Sequence, residues 1–198
     1  MKLTNLFENT IDHQQIEDWL DSMNIENYTI NTDGTVDVAG NVIIRGKHLA
    51  HIPIQFGYVG GDFNCHSNQL TTLQGCPREV VGSFSCQINK LTTLQDGPKE
   101  VGGFYDCSYN MLTNLQGAPR EIGGSFWCAD NQLTSLQGGP REVAGDYGCS
   151  YNKLTDLKGG PIEVGGEFKC YANPFKEKPN TSFRKEKILG IPSQLLQQ

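Results

Sequence analysis

Six cysteines, Cys65, Cys86, Cys107, Cys128, Cys149 and Cys170, stand 21 residues apart, and everything around them recurs in step. Two residues before each cysteine is an aromatic: Phe63, Phe84, Tyr105, Phe126, Tyr147 and Phe168. Three residues after it is an asparagine: Asn68, Asn89, Asn110, Asn131, Asn152 and Asn173. Leucines follow, beginning with Leu70 and Leu73, then a proline, beginning with Pro77, then Val80, Val101, Ile122, Val143 or Val164. A fixed period of about 20 residues marks a solenoid, in which each unit buries its apolar side only against its neighbours. The repeat spans 59–175 and leaves no seam at which the chain divides into separate cores.

One copy reads as follows. A short strand points its aromatic and its Cys inward, because alternate residues of a strand face opposite sides. Successive strands pair in parallel, about 4.8 Å apart, so the cysteines stack as a buried ladder of small hydrophobes. The Asn column ends each strand and is expected to satisfy backbone groups in the bend. Two Leu columns close the core. Gly and Pro turn the chain across the back, where turns or a single 3₁₀ turn are expected. The unit Phe63-Asn-Cys65-His-Ser-Asn68-Gln-Leu70 resembles the leucine-rich repeat pattern L-x-x-L-x-L-x-x-N-x-L. With its proline before the strand, the longer sentence L-T-x-L-x-G-x-P-x-E-V-x-G-x-F-x-C-x-x-N resembles the leucine-rich repeat proteins of tailed phages. That resemblance implies an α/β repeat solenoid, a right-handed coil with a parallel sheet on its concave face. It transfers little chemistry. Gly60, Val81, Gly102, Gly123, Ala144 and Gly165 depart from the first Leu position, and the preceding Val or Ile is expected to fill that part of the core.

The ends are read as caps. Residues 1–37 form an N-terminal cap: a helix over about 11–23, capped by Asn9 or Thr10 and apolar at Ile11, Ile16, Trp19, Leu20 and Met23, then a hairpin turning at Asp33-Gly34. Residues 38–58 are a degenerate first repeat, since Ile44 lies 21 before Cys65. Residues 176–198 form a C-terminal cap or tail, with a short basic helix expected over 182–190 and Phe183, Ile188 and Leu189 covering the last rung.

The composition narrows the function. A net charge of −6 argues against a surface that tracks phosphates or anionic lipid, so neither nucleic acid nor membrane is expected as a partner. Nothing resembles a signal peptide or a membrane span, so a cytoplasmic protein is expected, and the host cytoplasm if a phage encodes it. Cysteines strung at 21-residue spacing make a line, whereas a metal needs ligands converging on a point. No metal and no cofactor are therefore expected. Of the four histidines, His13, His48, His51 and His66, His48 and His51 flank one turn with no Ser or Cys placed beside them by spacing, and no phosphate loop or H-E-x-x-H is present. The chain reads as a non-enzyme.

The free positions are those facing outward from the strands, where small polar residues dominate. Phe104 and Trp127 break that pattern on adjacent strands, and Tyr109 and Tyr151 lie a little further along. Exposed aromatics of this kind are frequent anchors in protein interfaces. The expected binding face comprises Phe104 and Trp127 with Asp62, Asn64, Asp106, Tyr109, Asp146, Tyr151, Lys169 and Tyr171, and its acids favour a basic rim on the partner. The functional expectation is a module that binds a protein, a host protein in the phage case, with monomer as the default state. A small-ligand site stacking a nucleotide base, and self-assembly, are the alternatives.

Overall fold

A computed structural model describes residues 12–177 and 188–192. Over these residues the chain winds as a parallel-sheet solenoid of about seven turns with one short helix. From the second turn on, each turn contributes two strands of only two residues. In the second turn these are β6 (Glu79–Val80) and β7 (Phe84–Ser85). The same pair recurs as β8 (Glu100–Val101) and β9 (Tyr105–Asp106), β10 (Glu121–Ile122) and β11 (Phe126–Trp127), β12 (Glu142–Val143) and β13 (Tyr147–Gly148), and β14 (Glu163–Val164) and β15 (Phe168–Lys169). The Val-ending strands stack into one sheet and the aromatic strands into another. Pairing is parallel and in register, Phe84 opposite Tyr105 and Glu79 opposite Glu100.

The back of the coil, where turns or a single 3₁₀ turn are expected from the sequence, therefore carries a second parallel sheet. The reason lies in the Val or Ile that precedes the glycine column. Val59, Val80, Val101, Ile122 and Val143 are all buried, so the stretch before the bend has one residue facing in and a Glu facing out, the alternation of a half-buried strand.

At the N-terminal end, α1 (His13–Ser22) starts after Asp12, whose side chain makes no capping hydrogen bond. Asn9, Thr10 and Ile11 lie outside the described residues. Ile16 and Leu20 are buried in the common core, and Trp19 meets Phe56 edge-on with ring centroids 6.2 Å apart. The hairpin forms as expected: β1 (Tyr28–Ile30) pairs antiparallel with β2 (Val36–Val38) across Asp33-Gly34. The Asp33 carboxylate accepts both the N–H and the hydroxyl of Thr35. Then β2 pairs in parallel with β4 (Phe56–Val59), and β3 (Val42–Ile43) pairs with β5 (Phe63–Asn64) at an offset of 21 residues.

At the C-terminal end the expected helix is not what Ile188 and Leu189 form. They make strand β16 (Ile188–Leu189), opposite Phe168 and Lys169, as the eighth strand of the aromatic sheet. The edge of β15 offers unpaired backbone groups, and an apolar pair led by the β-branched Ile188 satisfies them by adding a strand. Phe183 and the tail from Gln194 lie outside the described residues.

Three ladders fill the interior. Phe56, Phe63, Phe84, Tyr105, Phe126, Tyr147 and Phe168 stack with centroids 4.9 to 5.7 Å apart. The six column cysteines lie beside them, free and buried, and Cys76 is buried too. Burial pushes the thiols of Cys86, Cys107, Cys128 and Cys149 well above the ordinary range, with each neighbouring thiol adding to the effect. Cys170 is pushed up to about 12 by burial. These are core groups and poor nucleophiles. In the third ladder, the Asn110 amide donates to the carbonyls of Cys86 and Cys107, and its oxygen accepts the N–H of Leu91. Asn68, Asn89, Asn131, Asn152 and Asn173 repeat that bridge between consecutive turns.

Candidate functional site

The outer face of the aromatic sheet carries three parallel columns. The first runs Asn41, Asp62, Ser83, Phe104, Ser125, Asp146 and Glu167. Its side chains have a structural task. Asn41 accepts the N–H of Asp62, Asp62 that of Ser83, Ser83 that of Phe104, Ser125 that of Asp146, and Asp146 that of Glu167, over 2.7 to 3.3 Å. Each polar side chain thereby caps the backbone of the next turn where the glycine bend leaves it open. Phe104 has no acceptor to offer Ser125, so the chain of hydrogen bonds is interrupted there. Its ring is 42% exposed, and burial does not compensate the lost contact.

The middle column holds Asn64, Ser85, Asp106, Trp127, Gly148 and Lys169. Trp127 is half-buried and lies across Gly148, where any Cβ would run into its ring. The Lys169 ammonium sits 5.3 Å from the centre of that ring and pairs with Asp146 at 2.8 Å and Glu167 at 3.2 Å. Hydrogen bonding to Asp146 leads the effects that hold the Lys169 pKa above its ordinary value. Trp127 thus has packing partners of its own, a cation–π contact among them. Asp106 is half-buried and accepts the Ser108 N–H at 2.9 Å. Desolvation raises its pKa, against the lowering effect of Ser108 and of His66. Burial, with Arg45 next, lowers the pKa of His66.

The third group stands at the corner where each turn leaves the sheet. Ser67, Ile88, Tyr109, Asp130, Tyr151 and Ala172 all adopt left-handed backbone, with φ between 52° and 56°. Tyr109 is 57% exposed, Tyr151 60% and Ile88 51%. Tyr171, also exposed, directly precedes the left-handed Ala172 at that corner. The ten residues expected at the binding face therefore occupy one side of the coil. Phe104, Asp62 and Asp146 line the bend, Asn64, Asp106, Trp127 and Lys169 the sheet, and Tyr109, Tyr151 and Tyr171 the corner.

A groove of about 910 Å³ lies elsewhere, along the outer face of the other sheet. Glu79, Glu100, Glu121, Glu142 and Glu163 line it, one per turn. These glutamates recur 21 residues apart in the sequence, and the second sheet is what sets them side by side along a groove. Among the described residues no group of three or more His, Cys, Asp or Glu side chains is arranged to hold a metal ion. None of the described helices is long and apolar enough to cross a membrane.

The fold and this face together define a parallel-sheet repeat solenoid whose outward columns are interrupted by aromatics. No family model, curated protein or solved structure matches the chain.

Proposed function

We propose that the protein is a non-catalytic, protein-binding module that docks through the outer face of its aromatic sheet. The observation that carries this reading is Phe104. At that position every other turn from Asn41 to Asp146 places an oxygen that holds the next turn, and only this one places an exposed ring. A residue that forfeits a fold-stabilising contact and remains in solvent is best explained by a contact made in a complex. The resemblance of the repeat to leucine-rich repeat proteins of tailed phages extends the proposal to a phage protein that engages or inhibits a host defence or regulatory protein in the host cytoplasm. Base stacking by a nucleotide is less favoured than protein docking, because Lys169 already covers the Trp127 ring.

Phe104→Asp separates the roles. The carboxylate restores the acceptor for Ser125, so the melting temperature rises by a few degrees. Affinity capture from cells producing the variant should lose the protein that the wild type retains. Retention of that protein by Phe104→Asp would exclude the aromatic face as the docking site.

A further inference from the structure

We infer that the left-handed corner beside the aromatic sheet is the part of the interface that receives an acidic, apolar-anchored segment of the partner protein. The inference rests on the protein-binding reading above and names where and what it binds. A left-handed residue is normally Gly, Asn or Asp, because a Cβ crowds the following carbonyl. The corner observes this at Gly46 and Asp130. At Ile88, Tyr109 and Tyr151 it does the opposite, with a β-branched residue and two large rings in that conformation. All three residues are more than half exposed, so little burial offsets the strain. Two independent costs, backbone strain and solvent-exposed apolar surface, coincide at the same residues. Strain of this kind collects where function requires it.

The corner's charges select the occupant. Two positions after the left-handed residue, successive turns carry Gln69, Lys90, Met111, Gln132 and Lys153, a row without a carboxylate. Lys90 and Lys153 each reach only a neighbouring glutamine oxygen, at 3.4 and 3.3 Å. The two ion pairs among the described residues both belong to Lys169. Met111 adds a further 44%-exposed apolar side chain between the lysines. Asp130 is the one carboxylate of the corner, and it stands between Tyr109 and Tyr151. On the sheet face the acids are largely engaged: Asp146 and Glu167 by Lys169, Asp62 by the Ser83 N–H and Asp106 by the Ser108 N–H. Lys90 and Lys153, with no ion pair among the described residues, are cations of the corner available to a partner. A segment carrying Asp or Glu beside Leu, Ile, Phe or Trp matches it, with charge steering the encounter and the apolar groups anchoring it.

The test is selection of a random linear peptide display library on the full chain. Enriched peptides should combine acidic residues with large apolar ones. One such peptide, synthesised, should bind at least about tenfold more weakly to a Tyr109→Asn/Tyr151→Asn variant, a loss of about 1.4 kcal/mol. That variant should melt at the same or a higher temperature, since Asn tolerates the left-handed backbone. Lys90→Glu/Lys153→Glu should also weaken the peptide, and the weakening should shrink with added salt. Phe104→Asp should weaken the peptide less than the tyrosine variant does. Enrichment of basic peptides, no enrichment, or undiminished binding to the tyrosine variant overturns the inference. So does a lower melting temperature for that variant, which would make the rings structural. Loss through Phe104→Asp alone would put docking on the sheet face without the corner. Loss through the corner variants, with protein capture indifferent to Phe104→Asp, would remove the sheet face and leave the corner standing.

Discussion

Ile88 holds a φ of 54° with its side chain half in solvent. For a β-branched residue the left-handed conformation costs about 1–2 kcal/mol, so Ile88→Asn should stabilise the protein by about 1 kcal/mol, read as a higher urea midpoint at unchanged m. A lower midpoint would show that the Ile88 side chain supports the fold. Asp106 offers a test by pH. Its carboxyl is raised above its ordinary value by desolvation, so the native state binds the proton more tightly than the unfolded chain does. The associated stability is complete below the unfolded value of 3.8 and is lost as pH rises through the native value. Asp106→Asn, whose amide oxygen still accepts from Ser108, should therefore gain on the wild type as pH is raised from that value toward neutrality. A gap between the two that stays constant or closes with rising pH would refute the burial argument.

The turn is held by its ladders, and their costs differ. Removing the buried Asn110 amide strands the carbonyls of Cys86 and Cys107 and the N–H of Leu91. Each orphaned buried group costs about 1–3 kcal/mol, so Asn110→Ala should lose about 3 kcal/mol or more. A loss under 1 kcal/mol would mean that the ladder is ornamental. The aromatic column shows a finer fit. The Tyr105 and Tyr147 hydroxyls meet no oxygen or nitrogen partner, and a Cβ at Gly97 or Gly139 would stand 3.4 and 3.2 Å from them. Where the loop residue is larger, Cys76 or Ala118, the ring eight residues on is a phenylalanine, Phe84 or Phe126. Phe126→Tyr should accordingly destabilise more than Phe168→Tyr, whose loop residue eight positions before is Gly160. Equal effects would break the size-complementarity argument. The inward ladders were legible in the sequence because a side chain buried in every turn must recur in every turn. The second sheet was less legible: its strands are two residues long, its register comes from neighbouring turns, and Val80 followed by Val81 and Gly82 gives no period to read. The same limit applies at Ile188, where strand pairing won over a local helical pattern. Of the face, Phe104 stood out against its column, while the strain at Tyr109 and Tyr151 is a backbone property that residue identity does not reveal.

At the scale of the molecule, stability is a sum over turns and the contacts between neighbours. The unit is therefore the 21-residue turn, whichever one is chosen. The polar columns and the inward ladders serve that sum, and the outward exceptions do not, which is why function is assigned to the exceptions. The most direct test of the stack is to delete one whole turn, residues 111–131, joining Asn110 to Gln132. The shortened protein should unfold in a single cooperative transition at a somewhat lower temperature, with its column cysteines unreactive toward a thiol reagent until it unfolds. Immediate reaction of those thiols in buffer, or damage as severe as that from deleting the half-turn 111–120, would contradict the account.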